Sequence, residues 1–432
     1  MIDLKKLISN TSIVGILSII SRILGYIREI ALTHWMGTSA ATDGLIIATR
    51  IPTLLRKATT EGSLNNVLVP TMNKLQKQNK EELIAELISK TIKIFSLFFI
   101  AFAILEIIYL KQILSIISPG ISEEIFYWTK YYSYFIGITI LFFFLNGLFS
   151  AILNYHNKFF WPAMSPIIWN SILIISIVFS KMKNINIHYM GIIYLVATIF
   201  FTITTFIPYL TIKFKKSNNK NNKEESKTIF KEFFKNLLPI IFTNSTNNIN
   251  NIILMSLISY LPTGSITLMN RVNRILEIPV ALIIPLTITL LPEIAKEEKE
   301  GEKIIKWSLI ATSIIFIPIS IIFYFCSFNL VNAIFYFGKL PIKEINIMSE
   351  LIKIYALAVP AILLNKIIPI FFFAKKEIKT PTIASLCNTI SNVILNLFLI
   401  KYGLHGIATA SVASYWIQTS ILFYYMKKSN YI

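Results

Sequence analysis

Five basic side chains lie within or beside long apolar runs near the start of the chain. They are Arg22, Arg28, Arg50, Arg56 and Lys57. An unpaired basic side chain at the centre of a bilayer costs about 2.5–3.5 kcal/mol on insertion scales. The planar guanidinium group also binds phosphate oxygens in pairs, which lysine cannot do. We therefore expect these residues to line a water-filled internal cavity and to hold an anion there.

Snorkelling to the membrane interface is the alternative for part of this set. The long side chains of Arg50 and Lys57 could reach the interface from the ends of helices. Arg22 and Arg28 fit this alternative poorly, because both lie well inside one apolar run. A functional cavity is therefore the favoured interpretation.

Two residues could bend the helices that carry these arginines. Gly25 lies between the first two arginines, which point to different sides of a straight helix, and Pro52 lies between the next two. Glycine and proline are common causes of helix kinks. We expect both residues to help direct the arginines into the cavity, although ordinary packing is the commoner role for a single proline.

A second polar strip is expected late in the chain. Asn270, Asn273, Arg274 and Glu277 fall at helical spacing, so that one face of a helix presents them together. An ion pair that satisfies itself is the structural alternative. We favour a gate or a ligand contact that faces the same central space as the first arginines.

Composition places the chain in a membrane. Hydrophobic residues make up 55% of the 432 residues, charged residues only 15%, and the mean hydropathy is +0.65. A soluble domain is less apolar and has about 25% charged residues. The net charge of +19 comes from lysines in short loops, where a membrane protein places cytoplasmic charge. Nucleic-acid binding is therefore rejected.

The sequence favours a transporter over an enzyme. Its four histidines lie near different loops with no close pair of carboxylates, and its two cysteines lie in separate apolar segments. No nucleotide-phosphate loop is present, which argues against an ATP-driven pump. We expect no cofactor and no metal site.

The apolar segments predict an all-α polytopic fold with about twelve transmembrane helices, since about 20 apolar residues span the hydrocarbon core. These segments are 7–33, 44–69, 91–110, 127–152, 162–180, 188–212, 237–260, 265–291, 306–328, 351–373, 381–400 and 404–426. We expect two six-helix halves, 1–212 and 237–432, around a central cationic cavity. The polar stretch 213–236 would be a cytoplasmic linker, flexible over 213–227.

The charge of the loops predicts the orientation of the chain. Lysines concentrate in alternate loops, including 74–93, 213–235 and the C-terminal end of the chain. Positive loops face the cytoplasm, so both termini are expected there.

Asparagines are spaced along two of the segments. Asn388, Asn392 and Asn396 form one stripe of the eleventh segment, and the seventh is rich in asparagine over 244–251. Hydrogen bonds between helices are the expected role. A cation site is the less favoured alternative, because neither stripe contains a carboxylate.

Several motifs, taken in order along the chain, resemble those of the lipid II flippase family (MurJ, also called MviN), a branch of the multidrug/oligosaccharidyl-lipid/polysaccharide exporter superfamily. They are Ser21-Arg22-x-Leu24-Gly25-x-x-Arg28-Glu29, Thr42-Asp43, Pro52-x-Leu54-Leu55-Arg56-Lys57-x-x-x-Glu61-Gly62, Val69-Pro70, Ala151-Ile152-Leu153-Asn154, Asn157-Lys158-Phe159, Pro162, Arg274-x-x-Glu277-x-Pro279, Leu290-Leu291-Pro292, Phe337-Gly338-Lys339 and Ile378-Lys379-Thr380-Pro381.

This resemblance implies alternating-access export of lipid II, the undecaprenyl-pyrophosphate-linked disaccharide pentapeptide, to the outer leaflet for cell-wall synthesis. It places the protein in the bacterial cytoplasmic (inner) membrane, among membrane lipids and with cell-wall synthesis proteins as further partners. By motif position, the pyrophosphate contacts would be Arg22, Arg28, Arg56 and Arg274, the functional acids Asp43 and Glu277, and the supporting residues Lys57 and Glu61.

The sequence departs from the family pattern in three places. Segments seven and eleven lack the carboxylate that the sodium site of some members needs. Asn273 stands where the family often has an aspartate, which removes one charge from the expected gate. Many members also carry two further C-terminal helices that form a groove for the lipid tail, and here we expect the tail to lie directly in the bilayer.

Other functions are still possible on the sequence alone. The first alternative is a related exporter of other polyprenyl-pyrophosphate-linked oligosaccharides or of drugs. An exporter of cationic drugs would need an acidic cavity, and a membrane transferase would need acidic metal ligands at the surface.

Overall fold

The structure of the protein is a computed structural model. It describes residues 4–59, 63–214, 222–296, 298–335, 340–375, 377 and 379–428. Within these ranges the side chains of 4–12, 58–59, 63, 222–224, 240–249, 281–296, 298–306, 315 and 374 lie outside the description.

The described residues form seventeen α-helices and no β-strand, which confirms the all-α fold. The helices are α1 (Leu4–Met36), α2 (Ala40–Thr59), α3 (Ser63–Lys77), α4 (Glu81–Ile108), α5 (Leu110–Ile117), α6 (Glu123–Ile136), α7 (Thr139–Tyr155), α8 (Phe160–Met182), α9 (Met190–Leu210), α10 (Asn222–Ile258), α11 (Ser265–Lys296), α12 (Glu298–Phe325), α13 (Ser327–Phe335), α14 (Ile342–Ala356), α15 (Val359–Ala374), α16 (Lys379–Leu399) and α17 (Gly403–Lys428).

Each of the twelve predicted segments coincides with one of these helices or with a pair of consecutive helices. The pairs are α2 with α3, α6 with α7, and α14 with α15; the last two are bent by 43° and 46° at their breaks. By length and composition, five spans in the described residues can cross a membrane, or up to seven if each of these two bent pairs is one span. The arrangement is that of a multi-pass membrane protein.

The chain divides into two compact units. Unit 1 comprises residues 1–117 and 121–251, and unit 2 comprises residues 118–120 and 252–432. The division at 251 falls within α10, later than the sequence-based boundary at 236. The predicted halves themselves, 1–212 and 237–432, stay a prediction.

Two apolar clusters hold unit 1 together. In the first, α3, α4 and α7 pack around Phe95 and Phe144, whose rings stack at 4.9 Å between centroids. In the second, α2 and α6 pack with α8 and α9 around Leu45 and Tyr132. Helix α1 packs along α8. These contacts fix the positions of α1, α2, α7 and α8, which carry the site described below.

Part of the predicted linker is a packed helix. Residues 215–221 lie outside the described residues, but α10 begins at Asn222, and its Phe233 and Leu237 are buried in the first cluster. Lys74 binds Glu232 at 2.9 Å between Nζ and Oε1, and Lys80 forms an ion pair with Glu225. The beginning of α10 is therefore anchored on α3 and α4.

In unit 2, α11 packs against α12, α14 and α15, while α16 and α17 pair along their length. Helix α14 also contacts α13 and α17, and α15 contacts α17. The core includes Ile352, Leu363 and Phe372, which are fully buried. This packing positions the polar face of α11.

Candidate functional site

A tight turn between α1 and α2 positions Asp43. Gly37 ends α1 with a positive φ of 61°, a conformation that glycine adopts without strain, and its N–H donates to the Thr33 carbonyl. Ser39 Oγ then accepts from the Thr42 N–H, and Thr42 Oγ1 donates to the Gly37 carbonyl. Asp43 is buried in the first turn of α2, where the helix dipole stabilises a negative charge.

Arg28 on α1 is held by residues of its own helix and of α8. Its Nη1 donates to Asn170 Oδ1 at 3.1 Å, and its Nη2 forms an ion pair with Glu29 Oε1 at 2.7 Å. Its guanidinium also lies over the Trp169 ring, 4.9 Å from the centroid. Asn170 in turn donates to the Ser21 carbonyl on α1. These contacts fix the guanidinium in one orientation inside unit 1.

Arg56 on α2 lies over a neighbouring aromatic ring. Its guanidinium carbon is 5.5 Å from the Phe143 ring centroid on α7, and the Phe143 and Trp169 rings meet edge to face at 6.4 Å. Two guanidinium groups therefore stack on adjoining aromatic rings. We call Arg28, Arg56, Phe143 and Trp169 the arginine platform. Cation–π contacts of this kind hold a guanidinium in place, and the ion pair with Glu29 balances the charge of Arg28.

The other candidates of the first half have different surroundings. Arg22 is exposed on α1, Lys57 is half-buried on α2, and Arg50 Nη1 donates to the Asn251 carbonyl at 3.3 Å. The structure therefore brings together Arg28 and Arg56, and it does not place Arg22 on the platform. Glu61 lies outside the described residues.

The two expected bends do not interrupt their helices. Helix α1 is continuous through Gly25, and α2 is continuous through the buried Pro52. Open space surrounds Gly25, since an added Cβ would meet nothing within 4 Å. The arginines are thus presented by unbroken helices.

In unit 2 the polar strip of α11 lies on a partly exposed face. Arg274 Nη1 binds Glu277 Oε2 at 2.8 Å, one helical turn away, and Asn273 beside them is half-buried. This ion pair lies within one helix. Both side chains keep enough exposed surface to contact a ligand.

Arg271, one turn before Arg274, is a buried arginine that sequence reasoning left out of the site. Its Nη1 lies 3.9 Å from Glu344 Oε2 on α14, and its guanidinium is 6.0 Å from the Phe335 ring centroid. Its position three residues before Arg274 gave no signal of burial. The contacts join α11, α13 and α14 within unit 2.

Asn170 and Trp169 were also missed. The available signal was a polar amide and an indole together inside the apolar run of the fifth predicted segment. Such a pair is expected to find partners at membrane depth, but only the packing of α1 on α8 shows that the partner is Arg28.

The asparagine stripe of α16 forms hydrogen bonds between helices, as predicted. Asn392 Nδ2 donates to Ser414 Oγ at 3.0 Å, and Asn388 Nδ2 donates to Gln418 Oε1. Asn396 donates to Asn392. The first two bonds join α16 to α17, and the third lies within α16.

The described residues contain no group of three or more His, Cys, Asp or Glu side chains that could hold a metal ion. The charged groups of the site described above are guanidinium groups and carboxylates. Arginines on aromatic rings suit a phosphate or pyrophosphate group.

Sequence comparison identifies known proteins that this chain resembles. Residues 32–432 match the family model described as lipid II flippase MurJ. The chain is 30% identical over 420 residues to a probable lipid II flippase MurJ of Aquifex aeolicus, an alignment that covers 95% of this chain and 81% of that protein. It is 29% identical to the corresponding protein of Buchnera aphidicola subsp. Acyrthosiphon pisum, over 97% of this chain and 83% of that one.

Solved structures agree with the sequence comparison. A structure of lipid II flippase MurJ in an inward closed conformation superposes with a TM-score of 0.84 at 28% identity, over 96% of this chain and 87% of that chain. An inward-facing multidrug resistance MATE family transporter of the MOP superfamily has the same fold, with a TM-score of 0.77 at 10% identity over 95% of this chain and 94% of that one.

Proposed function

The chain belongs to the lipid II flippase MurJ family, and from that premise we propose that it moves lipid II from the cytoplasmic to the outer leaflet by alternating access. It is a transporter of the bacterial inner membrane rather than an enzyme. Its cargo carries a pyrophosphate that cannot cross hydrocarbon unaided, so the protein must supply a polar site within the membrane.

The arginine platform is the observation that supports this function most directly. Arg28 and Arg56 are held on adjoining rings within one unit, and a membrane-embedded cation needs a purpose. Pyrophosphate oxygens accept paired hydrogen bonds from guanidinium groups. We assign the pyrophosphate to these two arginines, with Arg22 as a further contact.

The second half contributes Arg274 and Glu277 in this proposal. Their mutual ion pair is partly exposed, so Arg274 can exchange the carboxylate for a phosphate oxygen while Glu277 moves to solvent or to another base. Asn273 is a neutral neighbour that leaves the guanidinium charge undiminished. A ligand shifts a conformational equilibrium only through different affinities for the two states, so contacts from both halves would couple binding to transport.

The remaining residues have supporting roles in the proposal. Asp43 at the buried start of α2 and Lys57 one residue after Arg56 set the local charge, and Glu61 completes the acidic residues of the motif. Pro52 accommodates the motion of α2, and Gly25 leaves open space beside α1.

We place both termini in the cytoplasm because of the lysine distribution. Tags at Asn219 and after Ile432 should then react from the cytoplasm, and a tag at Lys339 from outside. A tag at Asn219 that reacts only from outside would reverse the orientation.

Conditional depletion with a leaflet-resolved assay of lipid II tests the function. We expect depletion to raise lipid II in the cytoplasmic leaflet and to lower it in the outer leaflet, and the wild-type gene to reverse both changes. An unchanged distribution of lipid II, together with accumulation of another lipid-linked oligosaccharide, would favour the alternative cargo.

A further inference from the structure

Glu106 is a buried carboxyl group that the proposed mechanism does not use. It lies near the end of α4, a helix with a mean hydropathy of 2.2 over its best membrane-spanning window, and its residue is only 1% exposed. It continues the packed face of α4 that includes Phe95, Phe99 and Ala103. A carboxyl group on the packed face of an apolar helix needs an explanation.

The carboxyl group has one oxygen without a hydrogen bond. Glu106 Oε2 is buried and has no hydrogen-bond partner among the described residues. The hydroxyl oxygen of Ser133 on α6 is also buried and without a partner there. Native structures leave few buried polar atoms unsatisfied, and each such atom points to a missing proton, water or ion.

Gly137 provides the space in front of this oxygen. A Cβ built on Gly137 would lie 3.3 Å from Glu106 Oε2 and 3.0 Å from the Ser133 carbonyl oxygen. Gly137 lies at the break between α6 and α7, where the helices bend by 43°. A side chain at this position would therefore press on the carboxyl group, and the break is where α6 and α7 can change their mutual angle.

Glu106 forms no ion pair with a base in the described part of the chain. Helix α7 carries no charged residue, and the bases of α4 and α3 lie toward the opposite end of α4, with Lys93 about 20 Å away along the helix. Near the end of α4 that carries Glu106, most charged and titratable groups of the packed elements are exposed. They are Tyr109, Lys111, Glu123, Glu124, Tyr127, Lys130 and Tyr134. Tyr131 is half-buried, and Tyr132 is buried with its hydroxyl donating to the Ile187 carbonyl.

These observations favour a proton over a metal ion as the ligand. An ionised carboxylate without a partner is far more costly to bury than a neutral carboxyl group. A sodium or calcium ion would need several further oxygen ligands, and in the described part of the chain the buried side-chain oxygens without a partner at this site are those of Glu106 and Ser133. A single proton satisfies the site, because the resulting O–H can donate to an acceptor beside Gly137.

We propose that Glu106 is a proton-binding site whose uptake and release of one proton is coupled to the transport cycle. A carboxylate oxygen of Glu106 gains a proton from water, forming the O–H bond, and returns it to water when the site becomes hydrated. No electron transfer and no further reactant is involved. The proton stabilises the packed arrangement of α4, α6 and α7, because only that arrangement removes the carboxyl group from water.

The coupling part rests on the proposed transport function, whereas proton binding does not. The first test therefore uses the wild-type protein without lipid II. Hydrophobic carbodiimides react with protonated carboxyl groups within membranes, so we expect dicyclohexylcarbodiimide to label Glu106 in proteoliposomes. Labelling should decrease as the pH rises, and mass spectrometry of the peptides reads it. Exposed Glu124 on α6 is the internal control and should stay unlabelled.

The second test compares Glu106→Gln with Glu124→Gln. Glutamine mimics the protonated carboxyl group, so the Glu106 variant should fold but lose the pH dependence of transport. The Glu124 variant should keep the transport rate and pH profile of the wild type. Thermal unfolding adds a readout independent of transport. The wild type should become less stable as the pH rises, since its buried proton is lost, and the Glu106 variant should not show this decrease.

The outcomes distinguish a failure of proton binding from a failure of its coupling to transport and from a failure of the proposed function. Absence of Glu106 labelling at every pH would overturn proton binding, and protection by sodium ions instead of by raised pH would assign the site to a metal cation. A Glu106→Gln variant with wild-type transport and pH profile would overturn the coupling. If neither the wild type nor the variants move lipid II, the proposed function fails, while the labelling result still decides proton binding. Gly137→Ala, which places a methyl group against the carboxyl, should alter the labelling if Glu106→Gln cannot be produced.

Discussion

Arg28 in unit 1 and Arg274 in unit 2 are both assigned to anion binding, yet their surroundings differ. Arg28 has an 11% exposed side chain with three partners, namely Asn170, Glu29 and the Trp169 ring. The Arg274 side chain is 41% exposed, and its contact with Glu277 comes from its own helix. The first guanidinium is buried and preorganised, and the second is more exposed.

The difference suggests that the two arginines have different roles in ligand binding. A preorganised donor loses little conformational entropy when a ligand binds, so it contributes affinity. A mobile donor can follow the ligand during a conformational change. In unit 2 the rigid position belongs to Arg271, whose guanidinium is buried against Glu344 and Phe335. Burial and the proposed anion binding therefore fall on the same arginine in unit 1 and on different arginines in unit 2.

The largest effect is expected when the assigned arginines are removed. Arg28→Ala and Arg274→Ala should each reduce flipping by roughly 100-fold, because charge-assisted hydrogen bonds contribute about 1.5–3 kcal/mol apiece. Lysine should restore little at position 28, since it cannot reproduce the paired hydrogen bonds and the stacked plane. Complementation with membrane levels checked by immunoblot measures this, alongside binding of pyrophosphate lipid to purified variants.

Arg50→Ala is the control for that experiment and should be milder, because Arg50 contacts the Asn251 carbonyl outside the arginine platform. Full activity of both alanine variants would refute the anion site. Rescue by lysine would refute the paired hydrogen bonds but leave simple electrostatic attraction.

Arg271 tests the separation of roles within unit 2. Arg271→Ala should lower the stability of unit 2 by about 3 kcal/mol, the lower end for a broken buried ion pair, because Glu344 is partly exposed. Arg274→Ala should leave stability nearly unchanged, since its partly exposed ion pair contributes little. Thermal unfolding in detergent measures both. Equal destabilisation by the two variants would show that Arg271 and Arg274 contribute equally to the stability of unit 2.

A smaller effect is expected from the aromatic support of Arg28. Trp169→Leu should reduce flipping about fivefold, because a cation–π contact contributes roughly 1 kcal/mol. Trp161→Leu is the matched control, since Trp161 lies exposed on the same helix. We expect the membrane levels of both variants to equal the wild type. If the two substitutions have the same effect on flipping, the ring does not position Arg28.

The smallest effect at the site is expected from substitution of Gly25. Gly25→Ala should be neutral, or more stable by about 0.5–1 kcal/mol, because α1 is helical there and open space surrounds the position. Gly44→Ala on α2 should disturb folding, since its Cβ would lie 2.7 Å from Trp128 Cβ. Flipping and thermal unfolding are the measurements. A loss of flipping in a stable Gly25→Ala variant would show that α1 must bend at this residue.

Much of the architecture was predictable because the bilayer imposes a strong constraint. Segments of about 20 apolar residues have to be helices, and the twelve predicted segments coincide with described helices or helix pairs. The prediction was weaker at 213–236, where polar composition suggested a flexible linker. From Asn222 onward this stretch is helix, and Phe233 with Leu237 anchors it on α3 and α4. The apolar residues Ile229, Phe230, Phe233 and Phe234 recur at helical spacing within this stretch, a signal of a packed helix that its overall polar composition outweighed.

The sequence by itself determined which residues are too costly to leave in lipid. Arg28, Arg56 and Arg274 could be selected from their residue type and from the apolar runs around them, because intramembrane charge needs a purpose. Spacing within one helix also predicted the Arg274–Glu277 pair, since residues three apart are neighbours on any helix.

Only the tertiary structure decided which partners each charge has. Asn170 and Trp169 meet Arg28 from more than 140 residues away, and Glu344 meets Arg271 from another helix. The close approach of Gly137 to Glu106 and the unsatisfied oxygen of Glu106 likewise exist only once α4 and α6 pack together. Periodicity along one helix specifies its faces, but contacts between distant helices depend on how the whole unit packs, and local spacing contains no record of that.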